Sequence, residues 1–364
     1  MSRWTMVLIV LSVLWTPGCE PEDEEEAGWR TEVVDTMHEG AGVRTIIGYD
    51  EDGKLYITFS GSVRQAMFDG EAWGVEELVG STGPYGAYPD MAMHEENGPA
   101  VSYRHSSEDE LRCVYVEDGN RKDELIAEGD IGGATAVGFQ DNTEIPVLAR
   151  WHNDGWGGND PTGINLHYHW RDDLIWLDEV VDSEEGVSIG KVLAMDVHRL
   201  TPYIAYHVAQ PGILRWAWRQ DQQWHTEDIT EMDQQDDGTF IDLALDSDDR
   251  PHLVFSGNNA HAYAYYDVDG WQFEDGASLY AHGALALDGE DRAHVVSAQF
   301  QGYVLFYSVY DGVERVTHEE LKTVDGEQLA GAYGSITLDA DGNPHIAYQD
   351  FENDQLMHAW YTPE

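Results

Sequence analysis

Short apolar runs, each broken by a polar turn, recur along almost the whole chain. The best-preserved copy is Ser335 to Tyr361, which reads as three strands of alternating apolar and polar residues joined by two turns. Its first strand ends in the turn Asp339-Ala340-Asp341-Gly342, and its second strand opens with Pro344-His345-Ile346. Weaker copies extend back towards the N-terminus. The pattern therefore predicts a repeat architecture.

The second strand marks each repeat most clearly, because it opens with proline or an equivalent residue and continues as an apolar run. It occurs at Leu55-Tyr56-Ile57, Pro99-Ala100-Val101, Pro146-Val147-Leu148, Pro202-Tyr203-Ile204, Pro251-His252-Leu253, Ala293-His294-Val295 and Pro344-His345-Ile346. An aromatic-rich third strand follows each run, as in Trp216-Ala217-Trp218. The spacing of roughly 40–50 residues is typical of propeller blades.

A fourth strand completes each unit and carries the pattern W-x-x-E. Full copies are Trp73…Glu76, Trp176…Glu179, Trp224…Glu227 and Trp271…Glu274, and weaker ones are Arg121…Glu124 and Val316…Glu319. The seventh unit lacks this strand, and the missing copy lies at Trp29-Arg30-Thr31-Glu32. We therefore predict an all-β, seven-bladed β-propeller of four-stranded antiparallel blades, with the ring closed by the N-terminal strand.

The first residues predict export. Trp4 to Trp15 form one apolar run, which is too short to span a bilayer and is typical of a signal peptide. The following Thr16-Pro17-Gly18-Cys19 resembles a bacterial lipoprotein cleavage site, with Thr16 where leucine is usual. The resemblance implies a lipid-anchored Cys19 outside the cytoplasmic membrane, on the outer membrane. An ordinary signal peptide cut nearby is the alternative.

These signals divide the chain into a signal peptide (1–18), an acidic tether (19–27) and one propeller domain (28–364). The net charge is −51, from 19 basic and 70 acidic residues. Such a surface repels nucleic-acid phosphates and anionic lipid head groups, so we exclude both as direct partners. Membrane contact is expected only through the lipid anchor. Cys113 is the other cysteine, so no disulfide is expected within a monomeric mature chain.

The repeats resemble those of bacterial propeller proteins with the pattern S-I-A-L-D-x-x-G-x-P-H-I-A-Y, over nearly all of Gly28 to Tyr361. Sialidase-like propellers have a similar outline, but their Asp-box, S-x-D-x-G-x-x-W, does not occur here. A sialidase mechanism would also need several arginines on the inner strands, where only Arg44 is expected. G-x-S-x-G and Gly-rich phosphate loops are absent from the sequence.

Candidate binding residues cluster where inner strands begin and second strands end, because both open onto one face of a propeller. They are Tyr88, Asp90, Arg104, His105, Arg150, Trp151, His152, His207, Asp242, Tyr333 and Asp350. An insertion in the third unit, Trp151 to Gly163, adds aromatic, amide and glycine residues of the kind that stack on sugar rings. An ordinary long loop is the alternative interpretation.

Metal and cofactor signals are weak. His105, His152 and His207 would be compatible with a divalent cation together with Asp90 and Asp242, but no tight metal-ligand spacing occurs. No cofactor is predicted. The aspartates of the repeated turns are expected to hold those turns rather than calcium. His252, His294 and His345 share one repeat position, which predicts structural hydrogen bonds.

We therefore predict an envelope-anchored binding or scaffold protein that docks a protein, peptide or glycan on the loop face. The alternatives are a carbohydrate-active hydrolase or lyase with carboxylates at the channel mouth, and a purely structural envelope component. Two carboxylates converging with an aromatic surface at the mouth would favour the enzyme. A flat apolar face would favour protein docking.

Overall fold

A computed structural model describes residues 27–36, 44–60, 62–80, 82, 88–129, 131–140, 143–153, 164–184, 187–232, 240–256, 263–274, 280–299, 303–312, 314–323 and 326–363. The signal peptide, Cys19 and the tether up to residue 26 lie outside these ranges, as do residues 154–163 of the insertion. Of His152, only the backbone is described. Among the described residues, no helix is long and apolar enough to cross a membrane.

The described residues form seven four-stranded antiparallel sheets, which we number as blades 1 to 7. The first strands of the blades are β2 (Thr45–Tyr49), β6 (Asp90–His94), β10 (Ile131–Phe139), β14 (Ile189–His198), β18 (Ile241–Leu245), β22 (Tyr280–Leu287) and β26 (Ala332–Leu338). The second strands are β3 (Leu55–Phe59), β7 (Gly98–His105), β11 (Pro146–Asn153), β15 (Thr201–Val208), β19 (Pro251–Phe255), β23 (Ala293–Gln299) and β27 (Pro344–Asp350).

The outer half of each blade is built from the next two strands of the repeat. The third strands are β4 (Val63–Phe68), β8 (Glu110–Glu117), β12 (Ile164–Asp172), β16 (Ile213–Gln220), β20 (Tyr263–Asp267), β24 (Leu305–Asp311) and β28 (Gln355–Thr362). The fourth strands are β5 (Trp73–Val79), β9 (Asn120–Glu128), β13 (Ile175–Ser183), β17 (Gln223–Glu231), β21 (Gly270–Phe273), β25 (Glu314–Glu320) and β1 (Gly28–Thr36).

The ring is closed by the N-terminal strand, as the repeat pattern predicts. β1 pairs antiparallel with β28, from Gly28 opposite Thr362 to Thr36 opposite Gln355. The first strands of successive blades lie against one another around the ring, and β26 lies against β2. They therefore surround a central channel. The seven-bladed β-propeller prediction is confirmed.

The apolar core lies between blades rather than within them. Seven clusters of buried side chains occur among the described residues, and each joins two neighbouring blades. The cluster that joins blades 7 and 1, for example, packs Val34 and Leu356 against Ile57 and Phe59. A single blade buries only part of its apolar surface, so stability depends on completing the ring.

Tryptophans of the W-x-x-E pattern form a layer across the blade interfaces. At four interfaces within the described ranges, the indole packs edge-to-face on a ring from the third strand of the preceding blade, with centroids 5.3–5.5 Å apart. These pairs are Trp29–Tyr307, Trp73–His358, Trp224–Tyr168 and Trp271–Trp216. Such pairs contribute about 0.5–1.5 kcal/mol beyond their buried area.

The glutamate of the same pattern accepts the next blade's indole N–H. The described bonds, 2.9–3.1 Å long, are Trp29 to Glu319, Trp73 to Glu32, Trp176 to Glu124 and Trp224 to Glu179. Between blades 1 and 2, Arg121 takes the place of the indole and binds Glu76 at 2.9 Å. The spacing W-x-x-E therefore encodes contacts between neighbouring blades, and at these five interfaces each blade donates to the one before it.

The turns between first and second strands are held by their own aspartates. Asp339 Oδ1 accepts the backbone N–H groups of Asp341 and Asn343 at 2.9 and 2.8 Å, and Asp246 does the same for Asp248 and Arg250. These oxygens are therefore engaged in turn formation, as predicted.

The three repeat histidines make hydrogen bonds, which confirms their predicted structural role. His252 bonds to Tyr263 at 2.7 Å and His294 to Tyr307 at 2.6 Å. His345 bonds to His358 at 2.9 Å.

Candidate functional site

The first strands begin at one end of the central channel, which we call the mouth. In each blade, one first-strand residue pairs with the central residue of the second strand, as Ile336 does with Ile346. The residue three positions before it lies at or just before the start of the first strand, at the mouth. Around the ring these residues are Arg44, Tyr88, Ala134, Val192, Phe240, His282 and Tyr333. The mouth is therefore aromatic over blades 5, 6 and 7 and carries a further tyrosine on blade 2.

Five of these and adjoining rings form a continuous arc, which we call the aromatic arc. Its members are Phe240, His282, Tyr333, Phe351 and Tyr303. Successive centroids lie 6.4, 4.1, 5.9 and 5.4 Å apart. Tyr303 and Phe351 come from the loops between second and third strands, and they are 44% and 41% exposed. The arc therefore presents large rings to solvent beside the channel.

Three tyrosines at the mouth adopt a strained backbone. Tyr88, Tyr303 and Tyr333 have φ values of 43°, 50° and 54°, in the left-handed region that bulky residues rarely occupy. Two of them are held alike: Thr45 donates its hydroxyl to the Tyr333 carbonyl at 2.5 Å, and Thr135 donates to the Tyr88 carbonyl at 3.3 Å. In both cases, the threonine lies on the next blade's first strand.

Tyr88 and Tyr303 are both close enough to Tyr333 to influence its ionisation. Burial raises the pKa of Tyr333, and the neighbouring Tyr303 and Tyr88 hydroxyls raise this pKa further. Tyr88 is itself 44% exposed, and its ring lies 3.6 Å from the position a Cβ would take on Gly133. Blades 2, 6 and 7 thus contribute aromatic groups to one space.

Below the aromatic rings, first-strand carboxylates bond to the backbone of the following blade. Asp90 Oδ2 accepts the backbone N–H of Val137 at 3.0 Å. In the same way, Asp196 Oδ2 accepts Leu245 N–H at 2.9 Å, and Asp242 Oδ2 accepts Leu285 N–H at 2.8 Å. The other oxygen of Asp90 accepts the Arg44 guanidinium at 3.2 Å. The other oxygen of Asp242 accepts Leu243 N at 3.1 Å. These carboxylates therefore hold neighbouring blades together at the channel wall.

Burial sets the protonation of these carboxyls. It raises the pKa of Asp242 to about 6, although the Leu285 N–H and the Arg44 guanidinium favour the ionised form and Asp90 opposes it. Burial likewise raises the pKa of Asp90, against the pull of Arg44 and the Val137 N–H. In His282, burial lowers the imidazole pKa to about 4, so this ring is neutral at pH 7.

The structure brings some of the predicted site residues together and places others apart from the mouth. Tyr88, Asp90, Asp242 and Tyr333 meet there. Asp350 lies beside Phe351, and its carboxylate accepts the backbone N–H of Glu352 at 2.8 Å.

Other predicted site residues lie elsewhere in the blades. Arg150 is only 5% exposed and donates Nε to His169 at 2.8 Å, and His207 is fully buried opposite Leu214. Trp151 is half-buried on the same strand as Arg150. Arg104 forms an ion pair with Asp109 at 3.6 Å in the turn that follows β7, and His105 ends that strand.

Among the mouth residues absent from the predicted site are Arg44, His282, Tyr303 and Phe351. The first two occupy the same repeat position as Tyr88 and Tyr333, so comparing units at that position would have found them. Within the described ranges, no three His, Cys, Asp or Glu side chains are placed to hold a metal ion.

No protein-family model matches the sequence, and no curated protein matches it. Solved structures do resemble the fold. Virginiamycin B lyase from Staphylococcus aureus aligns with a TM-score of 0.58 at 10% identity, over 91% of this chain and 99% of the lyase. The SapL1 lectin, in complex with alpha methyl fucoside, aligns with a TM-score of 0.54 at 11% identity, over 78% and 97%.

A chain from a mitotic checkpoint complex aligns with a TM-score of 0.55 at 10% identity, over 99% of both chains. At these identities the similarities show the β-propeller fold alone, which hosts binding proteins and enzymes alike.

Proposed function

We propose that this propeller is an envelope-anchored binding protein that holds a glycan or peptide ligand at the channel mouth. The aromatic arc carries the proposal. Tyr303 and Phe351 leave more than two-fifths of their surface exposed at the mouth, and Tyr88 of blade 2 does so as well. Clustered exposed rings around a cleft are characteristic of binding sites, because a ligand removes their apolar faces from water.

The backbone strain at the mouth supports a binding role. A bulky residue in the left-handed region costs about 1–3 kcal/mol, and such strained residues cluster at active sites and ligand-binding sites. Here, three tyrosines share that strain, and threonine hydroxyls from neighbouring blades fix two of them. Their rings are therefore pre-organised, which lowers the entropy lost when a ligand is bound.

Anchoring through Cys19 is the second part of the proposal. The lipoprotein-like sequence before Cys19 and the acidic tether after it support this location. Metabolic labelling with a radioactive or clickable fatty acid would test it. Label should enter the wild-type chain and not the Cys19→Ser variant; equal labelling of both would rule out this anchor.

A binding screen tests the proposed site. Purified wild-type protein is screened against glycan and peptide libraries. Each ligand that binds is then titrated into the wild-type protein and into the Tyr88→Ala and Tyr303→Ala variants. We expect each substitution to weaken binding at least about tenfold, because a buried aromatic contact is worth roughly 1–3 kcal/mol. Leu174→Ala is the matched control, since Leu174 is 82% exposed in a turn of blade 3 away from the mouth. Ligands that bind both tyrosine variants normally would refute this site.

One observation favours a carbohydrate-active enzyme as a second candidate. Asp242, with a pKa of about 6, lies close enough to Asp90 for the two carboxyls to influence each other, beneath exposed aromatic rings. Paired carboxyls with separated pKa values can act as general acid and base. However, the described hydrogen bonds occupy both oxygens of each carboxylate. We therefore place binding first.

Turnover separates the two candidates. The glycans that bind are incubated with a catalytic, substoichiometric amount of the protein, and mass spectrometry is used to look for products. Products that form with the wild-type chain and not with Asp242→Asn would establish the enzyme.

A further inference from the structure

We infer that the group recognised at the mouth is a compact organic cation, such as a quaternary or methylated ammonium. The inference rests on the proposed function and adds the chemistry of its ligand. Three features carry it: the angles between the rings, the charge around them, and the neutrality of the one imidazole in the arc.

The rings form a corner rather than a flat platform. Phe351 stands at 86° to Tyr333 and at 66° to Tyr303, with centroids 5.9 and 5.4 Å away. We call these three side chains the aromatic corner. A sugar stacks on one ring face that lies parallel to it, whereas a compact cation gains from several electron-rich faces at steep angles. Perpendicular walls therefore favour a small, rounded, positively charged group.

The charge around the corner is negative. Phe351 is flanked in sequence by Asp350, Glu352 and Asp354, and no lysine or arginine follows Lys322 in the chain. Phe351 and Glu352 are both exposed, so ring and carboxylate face the same solvent. A ligand cation would be attracted by these carboxylates and by the net charge of −51, while an anionic ligand would be repelled.

The positive groups at the mouth do not oppose this assignment. The Arg44 guanidinium is paired with the Asp90 carboxylate at 3.2 Å, and its charge also acts on Asp242 of blade 5, so that two first-strand carboxyls offset it. His282 packs against Tyr333 with centroids 4.1 Å apart. Because burial lowers the pKa of His282 to about 4, it adds a neutral ring to the corner at pH 7.

A pair of isosteric probes tests the inference directly. Choline and its neutral analogue 3,3-dimethylbutan-1-ol have the same shape and differ in the charge on one atom. Both are titrated into the mature chain at pH 7 and followed by ligand-observed NMR. We expect choline to bind about tenfold more tightly, which corresponds to a cation–π gain in a partly desolvated site.

Substitutions locate the binding to the corner. Phe351→Leu and Tyr303→Leu keep an apolar side chain but remove the ring, and each should abolish the preference for choline. Tyr303→Phe keeps the ring face and should preserve it. Tyr303 and Phe351 are 44% and 41% exposed, and circular dichroism with thermal unfolding is used to check that each variant is folded. The preference should also shrink in 0.5 M NaCl as the protein's field is screened.

Three outcomes would overturn the inference. The neutral analogue binds as tightly as choline, the leucine variants keep the preference, or neither probe binds at millimolar concentration. The proposed function is judged separately by the library screen. Hits that are neutral or anionic and depend on Tyr88 would leave the binding role standing while removing the cation.

Discussion

The indole Nε1 of Trp29 donates to the carboxylate of Glu319 at 3.0 Å, across 290 residues of sequence. Trp29 lies on β1 and Glu319 on β25, so the bond joins the N-terminal strand to blade 6 while β1 itself completes blade 7. The same strand also presents Glu32 to Trp73 of blade 1 at 2.9 Å. The N-terminal strand therefore makes contacts of the repeat type in both directions around the ring.

Loss of Trp29 should open the closure. Trp29 is 4% exposed and packs on Tyr307 and Tyr361, so Trp29→Ala should lower the free energy of unfolding by about 3–5 kcal/mol. Trp29→Phe keeps a ring but loses the bond to Glu319, and about 1 kcal/mol should be lost beyond its smaller cavity. Urea unfolding measures both. An alanine variant as stable as the wild type would contradict closure by this strand.

Two tryptophans in equivalent positions should respond differently to removal of the indole N–H. Trp224 donates to Glu179 at 2.9 Å, whereas Trp271 Nε1 has no hydrogen-bond partner among the described residues. Both rings make the same edge-to-face contact with the preceding blade. Trp224→Phe should therefore destabilise the protein by about 1 kcal/mol more than Trp271→Phe. Equal losses in urea unfolding would show that the Glu179 bond contributes nothing.

His345 should make the fold sensitive to acid. His358 bonds to Glu32 through Nδ1 at 3.0 Å and to Nδ1 of His345 through Nε2 at 2.9 Å. Burial, with His358 nearby, lowers the pKa of His345 to about 4. In the unfolded chain, His345 takes up a proton near pH 6.5, whereas in the folded chain it does so only near pH 4. The histidine's contribution therefore falls as the pH drops through that window.

The size of this effect follows from the two pKa values. About 2 kcal/mol of stability should be lost at this site by pH 5. The destabilisation caused by His345→Gln should accordingly be about 2 kcal/mol smaller at pH 5 than at pH 7. A cost that does not change with pH, measured by urea unfolding in both buffers, would contradict a buried neutral imidazole.

The contribution of Asp242 to stability should change with pH in the opposite direction. Its pKa is raised by burial to about 6, so between pH 4 and 6 the folded chain holds a proton that the unfolded chain has released. Stability from this group is present in acid and falls as the pH rises through 6. Asp242→Asn should therefore cost about 1 kcal/mol more at pH 5 than at pH 7. The same cost at both values would mean that the carboxyl titrates normally.

The repeats could be predicted from the sequence because the alternation of apolar and polar residues in a strand and the aspartates of a turn are local signals. The position of Pro344-His345-Ile346 predicted β27, and the absence of a fourth strand after Tyr361 predicted its replacement by Trp29-Arg30-Thr31-Glu32. The role of W-x-x-E could not be predicted, since the indoles of Trp29, Trp73, Trp176 and Trp224 each bond to a glutamate from another unit. Distances of 41 to 52 residues separate such partners in successive blades.

The mouth was only partly predictable, and the reason is side-chain direction. Arg150 and His207 lie on second strands that extend further than expected, so they pair within the sheet and are buried. Tyr303 and Phe351 escaped notice because they lie in loops outside the alternating pattern. The left-handed backbone that aims Tyr88 and Tyr333 depends on threonines one blade away.

Strand direction in blade 7 has a consequence for a chain tethered to a membrane. β27 runs towards the mouth and β28 runs away from it, so Gly28, which pairs with Thr362 at the end of β28, lies on the face opposite the mouth. Residues 19 to 28 span nine steps, a reach of roughly 30 Å when extended. A lipid at Cys19 would therefore attach the propeller through the face opposite the mouth, and the aromatic corner would point away from the membrane.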